Sequence, residues 1–461
     1  MPSAIAARGH IFLNAEEMTG SAPELLPGEI ELTVSEMAAY GMRLHRDNRL
    51  DAAQKCYEAV LQVDPQNANA LHYLGVLHQQ RGKKANAIDL VRQSLVIDPS
   101  VAAWHNNLGN LLLDDEQYEA ASSCYARCSE LDSGNIEVLN NLGVLQRKLG
   151  QPEQAEVSFN RALVLSPQFA DAHANLATLL CNLPGRLTEA FSHLADALAL
   201  APRDGNIRRL LVVTYAKSGR MEEARKACQE WAEVEPDDPR AQHYLAALGC
   251  VAVPERASDA YVVQEFDGFA GSFDAKLAML NYRAPQWVGE AVARLLGEPK
   301  SNLQVLDLGC GTGLCGPYLK PYAERLVGVD LSANMMARAA ERHVYDALVK
   351  SELVAYLATV DVPQDVVVSA DTLCYFGQLE AAFGGVRRAL RRNGIWVFTV
   401  EAHRHEQPFH LQVHGRYSHS RAYVESQLLA NGFGDIDVRE VVLRIEGDEP
   451  VRGWLVAARA Q

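Results

Sequence analysis

Between residues 34 and 236 the small and apolar positions repeat with a period far longer than a helical turn. Pro65, Pro99, Pro167, Pro202 and Pro236 recur at 34, 68, 35 and 34 residues, with Ser133 in the open place. Gly75, Gly109 and Gly143 fall 34 apart, preceded by Gly41 and followed by Ala177. Ala53, Ala87, Ala121 and Ala155 come 12 residues after the glycines, and Tyr57, Tyr125 and Phe159 follow. Such a unit predicts two antiparallel helices, because small residues permit close crossing and proline stops the second helix. About five units are expected within 34–249, with a capping helix around "DPRAQHYLAALG" and one extra residue near "NLPGR". Residues 1–33 are expected to form an N-terminal segment that is partly disordered.

The period ends near Gly249. "CVAVPERASDA" is small, polar and proline-containing, and residues 250–263 read as a linker. Two helical patterns then precede "LQVLDLGC", which reads as a buried strand. A glycine loop, a helix around 313–323, a strand "RLVGVD" and a helix "SANMMARAAERH" follow. "DALVK", "VVVSAD" and "GIWVFTVE" supply three more strands, with a helix before the last. Strands alternating with helices predict a parallel sheet covered on both faces. "DIDVREVVLR" and "VRGWLVAARA", joined at "EGDEP", predict an antiparallel hairpin at the sheet edge.

Composition narrows the function classes. A chain of 461 residues exceeds one core and is expected to hold more than one domain. The net charge of −15 and the lack of a long Lys/Arg run argue against a nucleic-acid partner. No apolar stretch reaches the ~18–20 residues of a membrane helix, and the N-terminus lacks the sustained apolar run of a secretory signal. The nine cysteines are scattered, and neither Cys124/Cys128 nor Cys310/Cys315 forms a CxxC set. They read as reduced thiols, so a cytoplasmic location is expected and structural zinc is not.

The 34-residue unit of Leu-Gly, Ala, aromatic and Pro resembles the tetratricopeptide repeat, and the match covers nearly half the chain. The resemblance implies an all-α superhelix that recruits a protein or an extended peptide. Asn107, Asn141 and Asn175 share one repeat position, in "NNLG", "NNLG" and "ANLA". They resemble the asparagine ladder that lines the groove of some tetratricopeptide arrays. An amide both donates and accepts, so it can pair with a peptide backbone of any sequence. The same amides could instead bridge neighbouring helices.

The glycine loop bears two readings. "GTGLCG", Gly311 to Gly316, satisfies G-x-G-x-x-G, and Asp330 ends the next strand. That pattern suits a dinucleotide, which leaves an NAD-dependent oxidoreductase open. The fuller string "VLDLGCGTG", the helical segment before the first strand and the closing hairpin resemble class I S-adenosylmethionine-dependent methyltransferases, over about 260–461. "FDGFAGSFDAKLAMLNYRAP", "YFGQLE", "GRYSHS" and "RIEGDEPVRGW" look like the bacterial methyltransferases fused to tetratricopeptide repeats. The implied fold is a Rossmann-like α/β domain over 264–461, a seven-stranded sheet with an antiparallel edge hairpin behind a helical lid.

The implied cofactor is S-adenosylmethionine. Gly309, Gly311 and Gly313, with Cys310 among them, would let the backbone approach the methionine and ribose portions. Asp307 would hold the loop and the amino group, and Asp330 would accept both ribose hydroxyls. Leu331 and Met335 would cover the adenine face, with Glu352 and Leu353 at its edge. Ala370 and Asp371 would lie beside the sulfonium, unless Asp371 only caps a helix. Phe269, Phe273 and Tyr282 would form the lid or simply pack on the sheet, with Tyr375 on the acceptor side. A scaffold whose methyltransferase domain has lost its chemistry is the remaining alternative.

"HRHEQPFHLQVHGRYSHS", residues 403–420, holds five of the chain's 14 histidines. Pro408 interrupts any helix there and no ligand set emerges, so no metal is expected. The stretch follows the fifth strand and is expected above the cofactor. Arg416, Tyr417 and His419 are therefore candidates for acceptor binding or general-base work, against a loop whose Ser418 or Ser420 merely caps the next helix. "SADTLCYF" is not the Asn/Asp-Pro-Pro-aromatic motif, and Cys374 lacks a preceding proline. Oxygen, carboxylate or carbon acceptors are expected over amide or nucleobase nitrogen, on a small molecule, a carrier-bound group or a protein.

Overall fold

In four of the repeats glycine on the first helix admits a side chain from the second, so the two helices pack closely, and Ala177 takes that place in the last. A Cβ on Gly109 would lie 2.5 Å from the Tyr125 ring, and one on Gly143 would lie 2.6 Å from Phe159. Gly41 stands in the same relation to Tyr57, and Gly75 to Val91. Tyr57, Tyr125 and Phe159 are fully buried as a result. The computed structural model describes residues 10–14, 29–268, 270, 273–446 and 449–461. The chain divides into two compact units, residues 1–200 and 201–461.

The first unit holds ten helices among the described residues, from Val34–Arg46 to Leu187–Leu200, paired consecutively as five helix–turn–helix repeats. Thr33 begins the array with a capping box, its hydroxyl accepting from the Glu36 N–H while Glu36 accepts from the Thr33 N–H. Ahead of it, β1 (His10–Asn14) and β2 (Glu29–Thr33) pair antiparallel within the segment expected to be partly disordered.

The second unit opens with the helices Gly205–Lys217, Met221–Val234 and Pro239–Ala247. The stretch that reads as a linker is hydrogen-bonded along its length. Glu255 O accepts from the N–H groups of Gly377 and Gln378, and the Ala257 N–H donates to Tyr375 O at 2.8 Å. Helices Asp259–Asp267, Phe273–Met279 and Ala284–Leu296 precede the sheet.

The sheet consists of β3 (Leu303–Leu308), β4 (Ala323–Asp330), β5 (Ala347–Lys350), β6 (Gln364–Ser369), β7 (Leu390–Ala402), β8 (Phe409–Leu411), β9 (Tyr417–His419), β10 (Phe433–Glu446) and β11 (Glu449–Ala460). Its main path runs β10-β11-β7-β6-β3-β4-β5, parallel from β7 to β5 and antiparallel through the β10–β11 hairpin. The expected seven strands are this path, but the sheet has nine. β9 adds to the end of β7 through Glu401 and Ala402, and β8 folds back on it. Period-two alternation explains the two cores. Leu306, Val367, Trp396 and Phe398 face one layer of helices, whereas Val305, Val366, Ile395 and Val397 face Val288 and Val292 of the Ala284–Leu296 helix. The helix expected around 313–323 shrinks to Gly316–Leu319, because Pro317 starts it and Pro321 forbids its extension.

Helix Pro239–Ala247 is packed into this unit rather than left as a free cap. The His243 ring stacks on Tyr261 at 3.9 Å and its Nε2 lies 2.8 Å from Gly415 O. Ala246, Ala257, Tyr261, Leu411 and Tyr417 form one buried cluster beside it.

Gly109→Ala isolates the packing rule of the repeats. Alanine favours a helix over glycine by about 1 kcal/mol, so a clash-free site would gain stability. At Gly109 the Tyr125 ring must move instead, and a net loss of about 1–3 kcal/mol is expected. Urea unfolding checks this against Gly134→Ala, a turn position where a Cβ meets nothing closer than 3.8 Å and no such loss is expected.

Candidate active site

The carboxyl ends of β3, β4 and β6 open into one cleft, which encloses about 980 Å³ of non-protein space, part of it open solvent. Its glycine loop turns sharply because Gly309 and Gly311 both adopt positive φ, +70° and +53°. A Cβ on Gly309 would strike the Thr372 side chain, whereas one on Gly311 would meet only open space. The Thr372 hydroxyl donates to Leu308 O at 3.0 Å and so ties the loop to the segment after β6.

Two acids end adjacent strands. Asp307 is buried and accepts from the Tyr345 hydroxyl at 2.7 Å. Burial pushes its carboxyl up to about 7, against the opposing hydrogen bond from Tyr345. Asp330 accepts from the Ser332 N–H through Oδ1 and from the Gly311 N–H through Oδ2, each at 2.9 Å. Burial raises its pKa and these backbone donors oppose the rise.

Asp307, Gly309, Cys310, Gly311, Asp330, Leu331, Met335, Glu352, Leu353, Ala370 and Asp371 all line the cleft, and so do Phe273, Tyr282 and Tyr375. Gly313 lies behind it, where a Cβ would meet Tyr345 at 2.9 Å. Phe269 lies outside the described residues. Glu352 caps the helix Leu353–Leu357 through Oε2, which accepts from the Ala355 N–H, while its Oε1 is buried with no hydrogen-bond partner among the described residues.

The helices before the sheet are tied to the cleft by polar contacts that sequence reading missed. The Ser332 hydroxyl donates to Asp267, and Asp274 accepts from both Thr312 and Arg342. Phe266 packs edge-on against Phe273 and Tyr375, with ring centroids 5.9 and 5.4 Å away. Patterning could not single out Asp267 or Asp274, since a polar residue on an amphipathic helix reads as solvent-facing.

Asp371 caps nothing: Thr372 occupies the cap of the short turn that follows. Its carboxylate accepts from Arg444 Nη1 at 2.9 Å and from the Thr399 hydroxyl at 3.0 Å. Arg444 also reaches Glu401 and Glu446, and Arg416 donates to the same two carboxylates, each at 2.6 Å. Burial alone would push Glu401 up, but Arg416 and Arg444 outweigh it and hold the carboxyl at about 2. Arg416 is spent on this network and does not line the cleft.

Tyr417 and His419 are fully buried and also stand away from the cleft. The Tyr417 hydroxyl donates to Pro254 O at 2.9 Å. His419 Nε2 lies 3.2 Å from Gly377 O, and its ring stacks on Tyr423. Ser420, not Ser418, caps the helix Arg421–Ala430. The other histidines of this stretch scatter. His403 is buried, His405 and His410 line a shallow surface hollow, and His414 lies 3.8 Å from Glu401. Cys374 is a buried thiol.

In the repeats the three asparagine amides run from each unit to the one before it. Asn175 Nδ2 donates to Asn140 Oδ1 at 3.0 Å, and Asn141 Nδ2 donates to Asn106 and Asn110 at 3.0 and 2.9 Å. Asn107 Nδ2 lies 3.2 Å from His72 Nε2. Consecutive asparagines thus act as acceptor and donor, cross-linking neighbouring repeats.

A model of the methyltransferase domain matches residues 306–398. Tetratricopeptide-repeat models match 41–102, 99–168, 140–204 and 184–248. Malonyl-[acyl-carrier protein] O-methyltransferase of Pectobacterium atrosepticum is 31% identical over 141 residues, 31% of this chain and 53% of that protein. Superkiller protein 3 of Schizosaccharomyces pombe is 26% identical over 212 residues, 43% of this chain and 15% of that protein. The chain thus spans about half or less of the length of these curated relatives. A solved magnesium protoporphyrin IX methyltransferase from Synechocystis superposes with a TM-score of 0.34 at 18% identity, covering 44% of this chain and 99% of that one. No helix among the described residues is long and apolar enough to cross a membrane.

The cofactor of the domain is S-adenosylmethionine, and the cleft suits it. The free Glu352 oxygen offers an acceptor for an exocyclic amine, Asp330 offers paired oxygens for hydroxyls, and the apolar Leu331, Met335 and Leu353 flank them. The chain is an array of tetratricopeptide repeats fused to a methyltransferase domain.

Proposed function

We propose that the second unit transfers a methyl group from S-adenosylmethionine to an acceptor oxygen, a carboxylate above all, on a molecule or carrier protein that the repeats recruit. The convergence of Asp307, the glycine loop, Asp330 and the unpartnered Glu352 oxygen on one cleft carries the reading. The cofactor supplies an electrophilic methyl whose bond to sulfur breaks as the acceptor bond forms, the electron pair passing to sulfur. The chain's own task is to align the acceptor and exclude water. Asp330 would receive the ribose hydroxyls, Glu352 the adenine amine and Asp307 the amino group. Phe273, Tyr282 and Tyr375 would close the acceptor side with an apolar wall.

A carboxylate suits this site because it arrives ionised and needs no base. The thiols and phenols of Cys310, Cys315, Tyr282 and Tyr375 are all pushed well above their ordinary pKa by burial. Asp371 is committed to Arg444. The relative from Pectobacterium carries a malonyl-carrier O-methyltransferase name, which supports a carrier-bound acid as acceptor. Tyr417 and His419 fit better as residues that hold the β8–β9 loop than as a base, and Arg416 as part of its ionic floor. Asn141 spends both amide hydrogens on its cross-links and would offer a peptide only its oxygen, whereas Asn107 and Asn175 would each offer an N–H as well.

Thermal shift tests the reading directly. S-adenosylmethionine and its demethylated product should each raise the Tm and NAD should not, since ligands stabilise by mass action. A rise with NAD alone overturns the reading. Asp330→Asn should weaken cofactor binding at least about tenfold by calorimetry, because hydrogen bonds to a charged acceptor are worth roughly 1.5–3 kcal/mol each.

Cofactor affinity should depend on pH through Asp307. Its folded-state pKa is raised to about 7, so below that pH a cation must displace its proton. Log affinity should rise by up to about one unit per pH unit approaching pH 7, then level off. The sign for the free protein is the reverse. The folded form holds the proton more tightly than the unfolded chain between about pH 4 and 7, so this group's contribution to stability falls as pH rises through that window. Asp307→Asn should flatten both profiles. His419→Ala should lower the Tm yet leave turnover per folded molecule within a few-fold; complete loss of turnover at full cofactor affinity would restore it as the base.

A further inference from the structure

We propose that His173, His193 and Asp196 form a binding site for one divalent transition-metal ion, zinc(II) best fitting the donor set. His173 stands on the helix Ala170–Leu180, and His193 and Asp196 stand three residues apart on the helix Leu187–Leu200, so both project from one face. One ligand atom from each residue lies within 4.8 Å of the other two. His173 Nδ1 is 2.9 Å from His193 Nδ1 and 3.8 Å from Asp196 Oδ2.

The repeat architecture settles which nitrogen of His173 is bare. His173 Nε2 lies 3.1 Å from Pro167 O, six residues earlier. The same repeat position makes the same contact elsewhere, from Arg208 Nε to Pro202 O at 2.8 Å and from Gln242 Nε2 to Pro236 O at 3.0 Å. Those two groups can only donate, so the carbonyl at this place takes a proton. His173 therefore carries its hydrogen on Nε2 and presents the Nδ1 lone pair to His193. A ligating histidine with its other nitrogen on a backbone carbonyl is the usual outer arrangement of a metal site.

Two imidazoles and one carboxylate leave one tetrahedral position for water, a set that suits zinc and not magnesium or calcium. Metal–nitrogen bonds of about 2.0–2.1 Å place tetrahedral donors roughly 3.3 Å apart, so the rings need only separate slightly. The equivalent positions one and two repeats earlier hold Ser158 with Arg161, and Cys124 with Arg127. A guanidinium at that place repels a cation, and the set is complete in the fifth repeat. The ion would staple the two helices of that repeat together.

The test uses the full chain, stripped with chelator and titrated with zinc against a chromophoric competitor. One equivalent should bind with micromolar or tighter affinity and raise the Tm. His193→Ala and His173→Gln should each weaken binding at least tenfold and abolish the Tm shift. Glutamine keeps the bond to the Pro167 carbonyl, as Gln242 does at Pro236, so His173→Gln should match the metal-free Tm of the wild type. Asp196→Asn, at an exposed position, should weaken binding with the fold intact. Wild-type affinity in these variants, or no zinc bound by the wild type, overturns the site. A cobalt(II) spectrum showing thiolate-to-metal absorption overturns it too, by assigning the ion to cysteines.

Discussion

Glu401 lies buried between two guanidinium groups, and the carboxyl edge of the sheet is arranged around keeping that charge neutralised. The partners come from distant places in the chain. Glu401 ends β7, Arg416 stands just before β9, Arg444 lies on β10 and Asp371 follows β6. Each charge has at least one buried opposite partner, and breaking such a pair typically costs about 3–5 kcal/mol. The register of β10 shifts between Val442 and Arg444, a bulge that lets Leu443 and Arg444 both turn inward. This irregularity joins the edge hairpin to the floor of the cleft. Asp371 held at φ +52° is part of the same arrangement, since Arg444 and Thr399 over-determine its position.

The repeats and the order of strands were legible because their chemistry is local and periodic. A glycine, an alanine and an aromatic at fixed spacing describe one helix crossing, and three full copies within a 34-residue period leave little ambiguity. The glycine loop was legible for a related reason, as its two acids and its glycines all belong to two adjacent strand ends. Arg444 was not legible. In a strand of alternating polarity an arginine reads as outward, and only a bulge turns it inward. His419 misled in the opposite direction: a histidine in a loop above the cofactor suggests proton transfer, yet the added strand β9 buries it beneath the segment after β6. The His173 group was invisible because its members stand 20 residues apart on positions that look like ordinary helix surface.

The terminal helices before the linker stretch belong physically to the catalytic unit. His243 and Tyr261 clamp the turn at Gly415, whose φ of +89° leaves no room for a side chain near the Tyr261 hydroxyl. Val413 packs in the cluster of Trp231, Tyr244 and Leu245. The turn between β8 and β9 is therefore built from one side by helical-repeat residues and from the other by the sheet. Arg416 leaves that turn directly into the ionic network beneath the cleft. Tyr417, which follows it, anchors to Pro254.

Helices that only tethered the domain would need no hydrogen bond to the β8–β9 turn and would contribute no ring to its core. Here a backbone carbonyl of the loop depends on His243 for its partner, and an unpaired carbonyl at that depth would cost about 1–3 kcal/mol. The loop's conformation is thus conditional on the position of the terminal helices. Displacing those helices would be felt at Asp371 in the cleft through Gly415, Arg416, Glu401 and Arg444, in that order.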